Sequence, residues 1–592
     1  MMPSTPFRLM NISAALRWTV TPALCAFLLC TATEASFAQD FERIAPKMPE
    51  GRTDRPKLPG GPEGPTGPAS DVALIPNLKG LVLVTTAKDV SAKGKTANGL
   101  VISPELPILD SPQFRAYADK YIGKPVSQRS LQEMVRGIIL YYRDHNRPVV
   151  DVIVPEQDIT KGTIQLLVIE ARRGAVKVEG ARWFRPGAIE GAIRIPAGGV
   201  IDSGRLLADL NWLNNNPFRQ VDLVYTPGSE LGQTDLVLRT KDRFPLRVYT
   251  GYEDSGNALT GDNRWIAGFN WGDAFWLGQQ LNYQFTFNDT TELYRAHSGS
   301  WVIPLPWRHT LTFFGSFSET GGDVTEPFEL EGVSWQVSAR YNIPLPAIGD
   351  YQHDVTLGYD FKQTNNNLTF GGDEVFDTFT DVDQFVLSYT GSMNDKWGRT
   401  VIGGELYYSP GNFTDNNTDA DFQSQRFQAH ADYAYAKASL ERTNKLPWDF
   451  TTSTRIVGQI SSGNLLSSEQ LGLGGYSSIR GYEEREVNSD EGFIMNNEIR
   501  TPAFSVGQML GFKNAQDSLQ FLAFWDYGMG ADRDVEPGEK RLYFLSSVGP
   551  GVRFNYSQYL SVRFDYGFQL MDSDISDGRR SERAHIGVVL SY

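Results

Sequence analysis

Among the charged residues of this chain, Arg480 stands where it most needs a fixed partner. It lies in Leu471–Glu486 (LGLGGYSSIRGYEERE), a long glycine-rich connection between two segments that alternate apolar and polar residues. Ordering such a connection is entropically expensive, so an arginine inside it is expected to hold a defined contact. The expected partner is Asp526, in the strand-like run Leu519–Gly528 (LQFLAFWDYG). A guanidinium and a carboxylate can share two parallel charge-assisted hydrogen bonds, which a lysine cannot reproduce. Other chemistry finds little footing. The six histidines (His145, His297, His309, His353, His430 and His585) lack metal-ligand spacing, and neither HExxH nor GxSxG occurs. Gly94-Lys95-Thr96 matches the end of a phosphate-loop pattern, but Asp89 stands where its first glycine belongs, so a surface turn is expected. No catalytic residue, metal or cofactor is expected, and the reading is of a protein that is not an enzyme.

The elements that would bring Arg480 to Asp526 follow from hydrophobic period. From Leu246 to Tyr592 apolar residues recur at every second position. Leu281, Tyr283, Phe285 and Phe287 interleave with Asn282, Gln284, Thr286 and Asn288, and Val562, Phe564, Tyr566 and Phe568 with Arg563, Asp565, Gly567 and Gln569. Sixteen such runs can be counted, the tenth at 425–438, the eleventh at 449–460 and the thirteenth at 517–529. An even number suits a closed transmembrane β-barrel. The connections alternate in kind: short proline-marked turns (Ile303–Pro306, Ile343–Pro346, Lys445–Trp448) and long polar ones such as 411–424 and 530–540. Short turns belong on the periplasmic side and long loops outside. The loop with Arg480 follows the eleventh strand and so starts outside. In the thirteenth, Leu519, Phe521, Ala523, Trp525 and Tyr527 share the lipid face, which turns Asp526, Phe524 and Gly528 to the lumen.

Composition agrees with a membrane all-β domain. The chain has 592 residues, a net charge of −15 and 12% aromatic residues, and its mean hydropathy is −0.32. The charge argues against a nucleic-acid partner, and no run of 18 apolar residues follows the N-terminus. Residues 1–38 read as a secretory signal, with Arg8 and Arg17 ahead of an apolar core and Ser36-Phe37-Ala38 at its end; both cysteines, Cys25 and Cys30, fall within it. Residues 39–76 are a Pro/Gly-rich linker, read as a plain spacer in preference to a plug or tether. Residues 77–172 and 173–245 each read as β-α-α-β-β, an internal repeat of small α+β modules.

Two such modules ahead of a 16-stranded barrel resemble the transporters of two-partner secretion, the TpsB family of ShlB/FhaC/HecB-like proteins. Its wider superfamily includes the BamA and TamA assembly factors. The modules resemble POTRA domains: Pro155–Ile159 with Gly162 and Val168–Glu170 looks like the end of the first, and Leu210–Asn214 with Asn216–Phe218 like the helix end of the second. Ile479-Arg480-Gly481-Tyr482 is similar to the superfamily's loop tip, and Phe524, Asp526 and Gly528 to its partner-strand motif. The resemblance implies an outer-membrane transporter with POTRA domains in the periplasm. It would carry a secreted, TpsA-like exoprotein of the haemolysin or haemagglutinin kind. The implied further partners are outer-membrane lipids and, during biogenesis, the barrel assembly machinery. An assembly factor of the BamA or TamA kind is the alternative that shares barrel and loop.

Overall fold

A computed structural model describes residues 44–49, 58–61, 64, 67–257, 260–322, 328–370, 373–376, 379–573 and 581–592. The expected signal, 1–38, lies outside them. The first module is a four-stranded sheet in the order Gly99–Ile102, Gly80–Val84, Thr163–Glu170, Val150–Ile153. Its long helix, Gln128–Asp144, buries Met134, Val135, Ile138, Ile139 and Tyr142. Ser127 and Ser130 cap its start reciprocally, satisfying donors that have no partner within the helix. Strand Gly99–Ile102, parallel to Gly80–Val84, is an addition to the expected order; its short apolar run lacks the alternation that marks a half-buried strand.

The second module has a three-stranded sheet, Arg172–Glu179, Gln233–Asp242 and Arg219–Pro227 in spatial order. The helix expected over 184–193 is only Pro186–Glu190. Ser203–Asn214 forms as expected and buries Leu206, Leu210 and Leu213. Beyond it the Asn216-Pro217-Phe218 segment joins module to barrel. Asn216 Nδ2 donates to the Gly272 carbonyl at 2.5 Å, and a Cβ on Gly272 would overlap the Phe218 ring.

The barrel strands are β1 (Leu246–Glu253), β2 (Arg264–Ala274), β3 (Gln279–Phe287), β4 (Tyr294–Pro304), β5 (Thr310–Gly322), β6 (Phe328–Pro344), β7 (Tyr351–Phe370) and β8 (Phe379–Asn394). They continue with β9 (Gly398–Pro410), β10 (Asp432–Lys445), β11 (Thr451–Ser461), β12 (Glu491–Arg500), β13 (Asp517–Ala531), β14 (Leu542–Tyr556), β15 (Leu560–Gln569) and β16 (Glu582–Ser591). All pair antiparallel with their neighbours, a short strand Asp373–Phe376 extends the hairpin of β7 and β8, and β1 closes on β16 through Tyr249↔Ser591 to Glu253↔Gly587. The expected tenth strand, 425–438, is displaced by about half its length. Residues up to Gln425 belong to a helix, Asp419–Gln425, capped by Thr418 and Asp421. The alternation in FQAHA is therefore a loop folded on the lumen, and the strand runs on to the proline turn at Leu446-Pro447.

Burial alternates along the strands as a lipid-facing exterior and packed lumen require. On β13, Phe521, Ala523 and Trp525 are exposed while Leu522, Phe524, Asp526 and Gly528 are buried. On β3, Asn282 and Gln284 are buried and Tyr283 faces out. Among the described residues no helix is long and apolar enough to cross a membrane.

The Pro/Gly-rich stretch is no free spacer. Residues 44–49 form a strap along the inner wall: Lys47 N donates to Tyr249 Oη (3.0 Å) and Gln284 Oε1 (3.1 Å), and Arg247 donates to the Lys47 carbonyl (2.9 Å). Lys47 Nζ pairs with Glu253 at 3.0 Å. Farther on, Leu58 packs on the second module's core, and Asp71 pairs with Arg129 of the first. An extended, proline-rich segment leaves its backbone groups unused by helix or sheet, so they are available to polar wall residues.

The topology makes a labelling prediction. Without Cys25 and Cys30 the chain is cysteine-free, so single cysteines report cleanly. Cysteines at Asp415 and Glu536 should react with an impermeant maleimide on intact cells, and cysteines at Asp350 and Lys396 only after permeabilisation. Labelling of Asp350 or Lys396 in intact cells would reverse the barrel.

Candidate functional site: the lumenal loop and its arginine

The connection from β11 to β12 turns back into the barrel. A two-stranded hairpin, Leu471–Leu473 with Val487–Ser489, sends Gly474–Glu486 across the lumen. Gly474 (φ +105°), Gly475 (φ +106°) and Gly481 (φ +92°) take backbone angles that L side chains disfavour. At Gly481 space is also short, since a Cβ would lie 3.0 Å from the Gly567 carbonyl group of β15.

Arg480 and Asp526 meet with full bidentate geometry. Arg480 Nε donates to Asp526 Oδ2 at 2.7 Å, Nη2 to Oδ1 at 2.8 Å, and the Arg480 backbone N–H to Oδ2 at 3.1 Å. Arg480 is 3% exposed and Asp526 0%. The guanidinium lies 3.6 Å from the centroid of the Phe524 ring, over its face, which adds a cation–π contact. Phe524 and Asp526 thus serve one side chain from the same face of β13.

The other two positions of the partner motifs explain each other. A Cβ on Gly528 would overlap Ile479 Cδ1 and crowd Leu473 Cδ2. Ile479, Leu473 and Tyr482 are fully buried in one cluster with Leu471, Val487, Ile494 and Leu545. Gly528 is therefore the notch into which the loop's aliphatic residue fits. Tyr482 Oη has its single proton within reach of the Ser546 and Met571 carbonyls (2.8 and 2.6 Å) and accepts from Ser546 N–H (3.1 Å).

Several partners were not singled out by sequence. Arg480 Nη1 also donates to Glu498 Oε1 on β12 at 2.6 Å and stands 3.6 Å from Asp565 Oδ1 on β15. Those carboxylates pair in turn with Arg500, Arg553 and Arg563 at 2.6–2.8 Å. His585 Nε2 on β16 accepts the Gly481 N–H at 2.9 Å, which assigns it as an acceptor nitrogen. Arg563 and Asp565 stand on the polar face of an alternating run, and that was their one sequence signal.

Elsewhere the loop-like motifs resolve into structure. Gln157 exchanges two 2.7 Å bonds with the backbone of Gln165 and so extends the sheet of the first module. Gly94 (φ +75°) packs against the Asp158 carbonyl in a surface turn. Despite the lack of metal-ligand spacing, Asp419, His430 and Asp432 place one ligand atom each within 4.8 Å of one another on the surface; Asp419 there accepts from Ala431 N–H and pairs with His430.

Residues 232–554 match the family model of haemolysin secretion/activation proteins ShlB/FhaC/HecB, and residues 105–171 that of the ShlB-type POTRA domain. The chain is 24% identical over 465 residues to the heme/hemopexin transporter protein HuxB of Haemophilus influenzae strain 86-028NP, covering 74% of this chain and 76% of that protein. It is 22% identical over 431 residues to the outer membrane transporter CdiB-2 of Burkholderia pseudomallei, covering 70% of each. In fold it is similar to CdiB from Escherichia coli, with a TM-score of 0.71 at 15% identity over 91% of this chain and 94% of that one.

The notch geometry predicts a specific double-mutant result. Gly528→Ala should lower barrel stability by about 1–3 kcal/mol through overpacking. In an Ile479→Ala background the same change should have a smaller effect. The readout is the denaturant midpoint of the purified barrel, and additive effects would mean the two residues do not share the space.

Proposed function

The chain belongs to the ShlB/FhaC/HecB family of haemolysin secretion/activation proteins, and from that premise we propose how its parts divide the export of a partner exoprotein. It is an outer-membrane transporter with periplasmic POTRA domains. The client is a TpsA-like polypeptide that arrives unfolded in the periplasm, threads the lumen and folds outside. That folding supplies direction without a nucleotide.

In this reading residues 77–172 and 173–245 are two POTRA domains that receive the client. The first presents sheet edges at Gly99–Ile102 and Val150–Ile153, where an extended segment can add as a further strand. Val101 and Ile153 on those edges are 45% and 41% exposed, so the edges also offer apolar contact. Barrel residues 246–592 form the conduit. Lipids contact the apolar outer face, and the barrel assembly machinery acts during insertion.

The observation that carries the proposal is the return of the loop into the lumen on Arg480. A loop fixed by Ile479, Arg480, Gly481 and Tyr482 against Phe524, Asp526 and Gly528 sets the shape of the conduit the client must pass. Arg480→Ala or Asp526→Ala should leave a heat-modifiable barrel and strongly reduce exported client per folded barrel. Exchanging the two charges should restore only part of the export, because Glu498 and Asp565 would then face a carboxylate. Undiminished export by Arg480→Ala would sink the role given to the loop.

Capture by the modules is tested separately. Deleting Asn77–Ala171 should leave the barrel folded and abolish export. Continued export would place capture in the barrel.

A further inference from the structure

The lumen and the whole chain carry opposite charge. A cavity of about 1570 Å³ occupies the barrel interior and opens toward the second module; among the described residues, fifteen Lys and Arg side chains line it against five Asp and Glu. The full chain is −15. Adding Asp490, Asp526, Asp532 and Asp565, the carboxylates that pair with lining arginines, still leaves fifteen cations against nine anions.

At the module-facing end six cations line the cavity against three carboxylates, Asp242, Glu441 across from Arg455, and Glu498 paired with Arg500. Arg247 is the second residue of β1, Arg399 the second of β9, and Arg455 lies in the first half of β11; Arg500 closes β12. Lys241 and Arg243 lie at the exit of the second module, and all six line the cavity. Like charges gathered within low-dielectric walls focus a field that attracts and retains the opposite sign. Guanidinium groups in addition bind carboxylates in the planar, bidentate fashion that lysines do not.

We infer that this end of the lumen is a binding surface for acidic stretches of the exported polypeptide. The inference rests on the export reading above and adds a client chemistry to it. A polypeptide is favoured over an anionic lipid headgroup because these cations face the interior, while the outer wall presents residues such as Phe521 and Trp525. A client with clustered Asp and Glu would be drawn to the periplasmic mouth before any specific contact forms, and its on-rate would fall with salt.

The test uses the full-length protein in a neutral detergent and two fluorescent unstructured peptides of equal length, one Glu/Asp-rich and one Lys-rich. Anisotropy titrations should show the acidic peptide binding about tenfold more tightly, with affinity falling as NaCl rises from about 0.05 to about 0.5 M. The triple variant Arg247→Gln/Arg399→Gln/Arg455→Gln should weaken acidic-peptide binding severalfold while the barrel stays heat-modifiable. Equal affinities, salt-independent binding or an unaffected folded variant would overturn the inference. Full displacement of the peptide by phosphatidylglycerol micelles would reassign the surface to lipid headgroups. If the triple variant does not fold, the peptide comparison and salt series on the unaltered protein decide. Cells that export a partner through a pore without charge preference would overturn this inference alone. A pore that prefers the acidic peptide in cells that export no partner would overturn the export reading instead.

Discussion

Placing a guanidinium where almost no water reaches is the constraint around which the barrel interior is arranged. Arg480 is 3% exposed, and withdrawing an ion of that size from water costs several kcal/mol even after relaxation. The charge is tolerated because three strands bring carboxylates to it: Glu498 from β12, Asp526 from β13 and Asp565 from β15. Three carboxylates so close would repel one another, and Arg500, Arg553 and Arg563 separate them. The result is a ladder of alternating sign in which Asp526 depends on Arg480 for its ion pair, while Glu498 is also held by Arg500 and Asp565 by Arg553 and Arg563. Breaking such a buried pair typically costs about 3–5 kcal/mol, so the loop tip is fixed by electrostatics as much as by packing.

The tip is one of three anchors. At the start of the loop, Glu469 pairs with Lys362 of β7 at 2.7 Å, both side chains fully buried. Its other oxygen accepts from Gln384 of β8 (3.0 Å) and Tyr435 of β10 (2.8 Å). At the end of the loop, Asp490 accepts from Leu465 N–H (2.9 Å), Arg426 Nη2 (3.0 Å) and Arg533 N–H (3.0 Å). The connection thus spans the lumen as a strut held at both ends and at its turn. Because the ends have their own buried pairs, losing the tip does not free them. Assembly of the wall and placement of the tip are for this reason separable properties.

How much of this could be read beforehand depended on whether a residue's surroundings left a local trace. The barrel was legible because period-two alternation is local, and the face of Asp526 followed from its parity with Phe521 and Trp525. Arg480 was legible because an arginine in a glycine-rich loop is unusual. Glu498, Asp565 and His585 were not, since each is one inward polar residue among many. Which of those meet the loop depends on how far it reaches, and nothing local encodes that distance. The strand after Asp419–Gln425 was misplaced because a folded loop and a strand can share a short alternating run. The strap at 44–49 was read as a spacer because proline and glycine report the lack of regular structure and say nothing about attachment.

Strap and loop divide the inner wall between them, and they are held by different kinds of bond. The strap lies on β1 to β4 through hydrogen bonds to Tyr249, Arg247, Asn270, Gln284 and Ser298 and one ion pair, Lys47–Glu253, whose side chains are 26% and 11% exposed. The loop reaches β7, β12, β13 and β15 through ion pairs that are almost wholly buried, and β16 through the Gly481 N–H hydrogen bond to His585. A hydrogen bond returned to water changes stability by only about 0.5–1.5 kcal/mol, because water replaces the partner. A carboxylate or guanidinium left alone in a dry site has no such replacement. Each of the strap's hydrogen bonds is therefore released at lower free-energy cost than the ion pairs around Arg480. The strap's side of the lumen is also where the β1–β16 seam lies, joined by five register pairs against fifteen between β7 and β8. The yielding contacts thus flank the short seam on the β1 side, and the buried pairs around Arg480 reach the same seam from the other side, through Asp565 of β15 and the Gly481 N–H bond to His585 of β16.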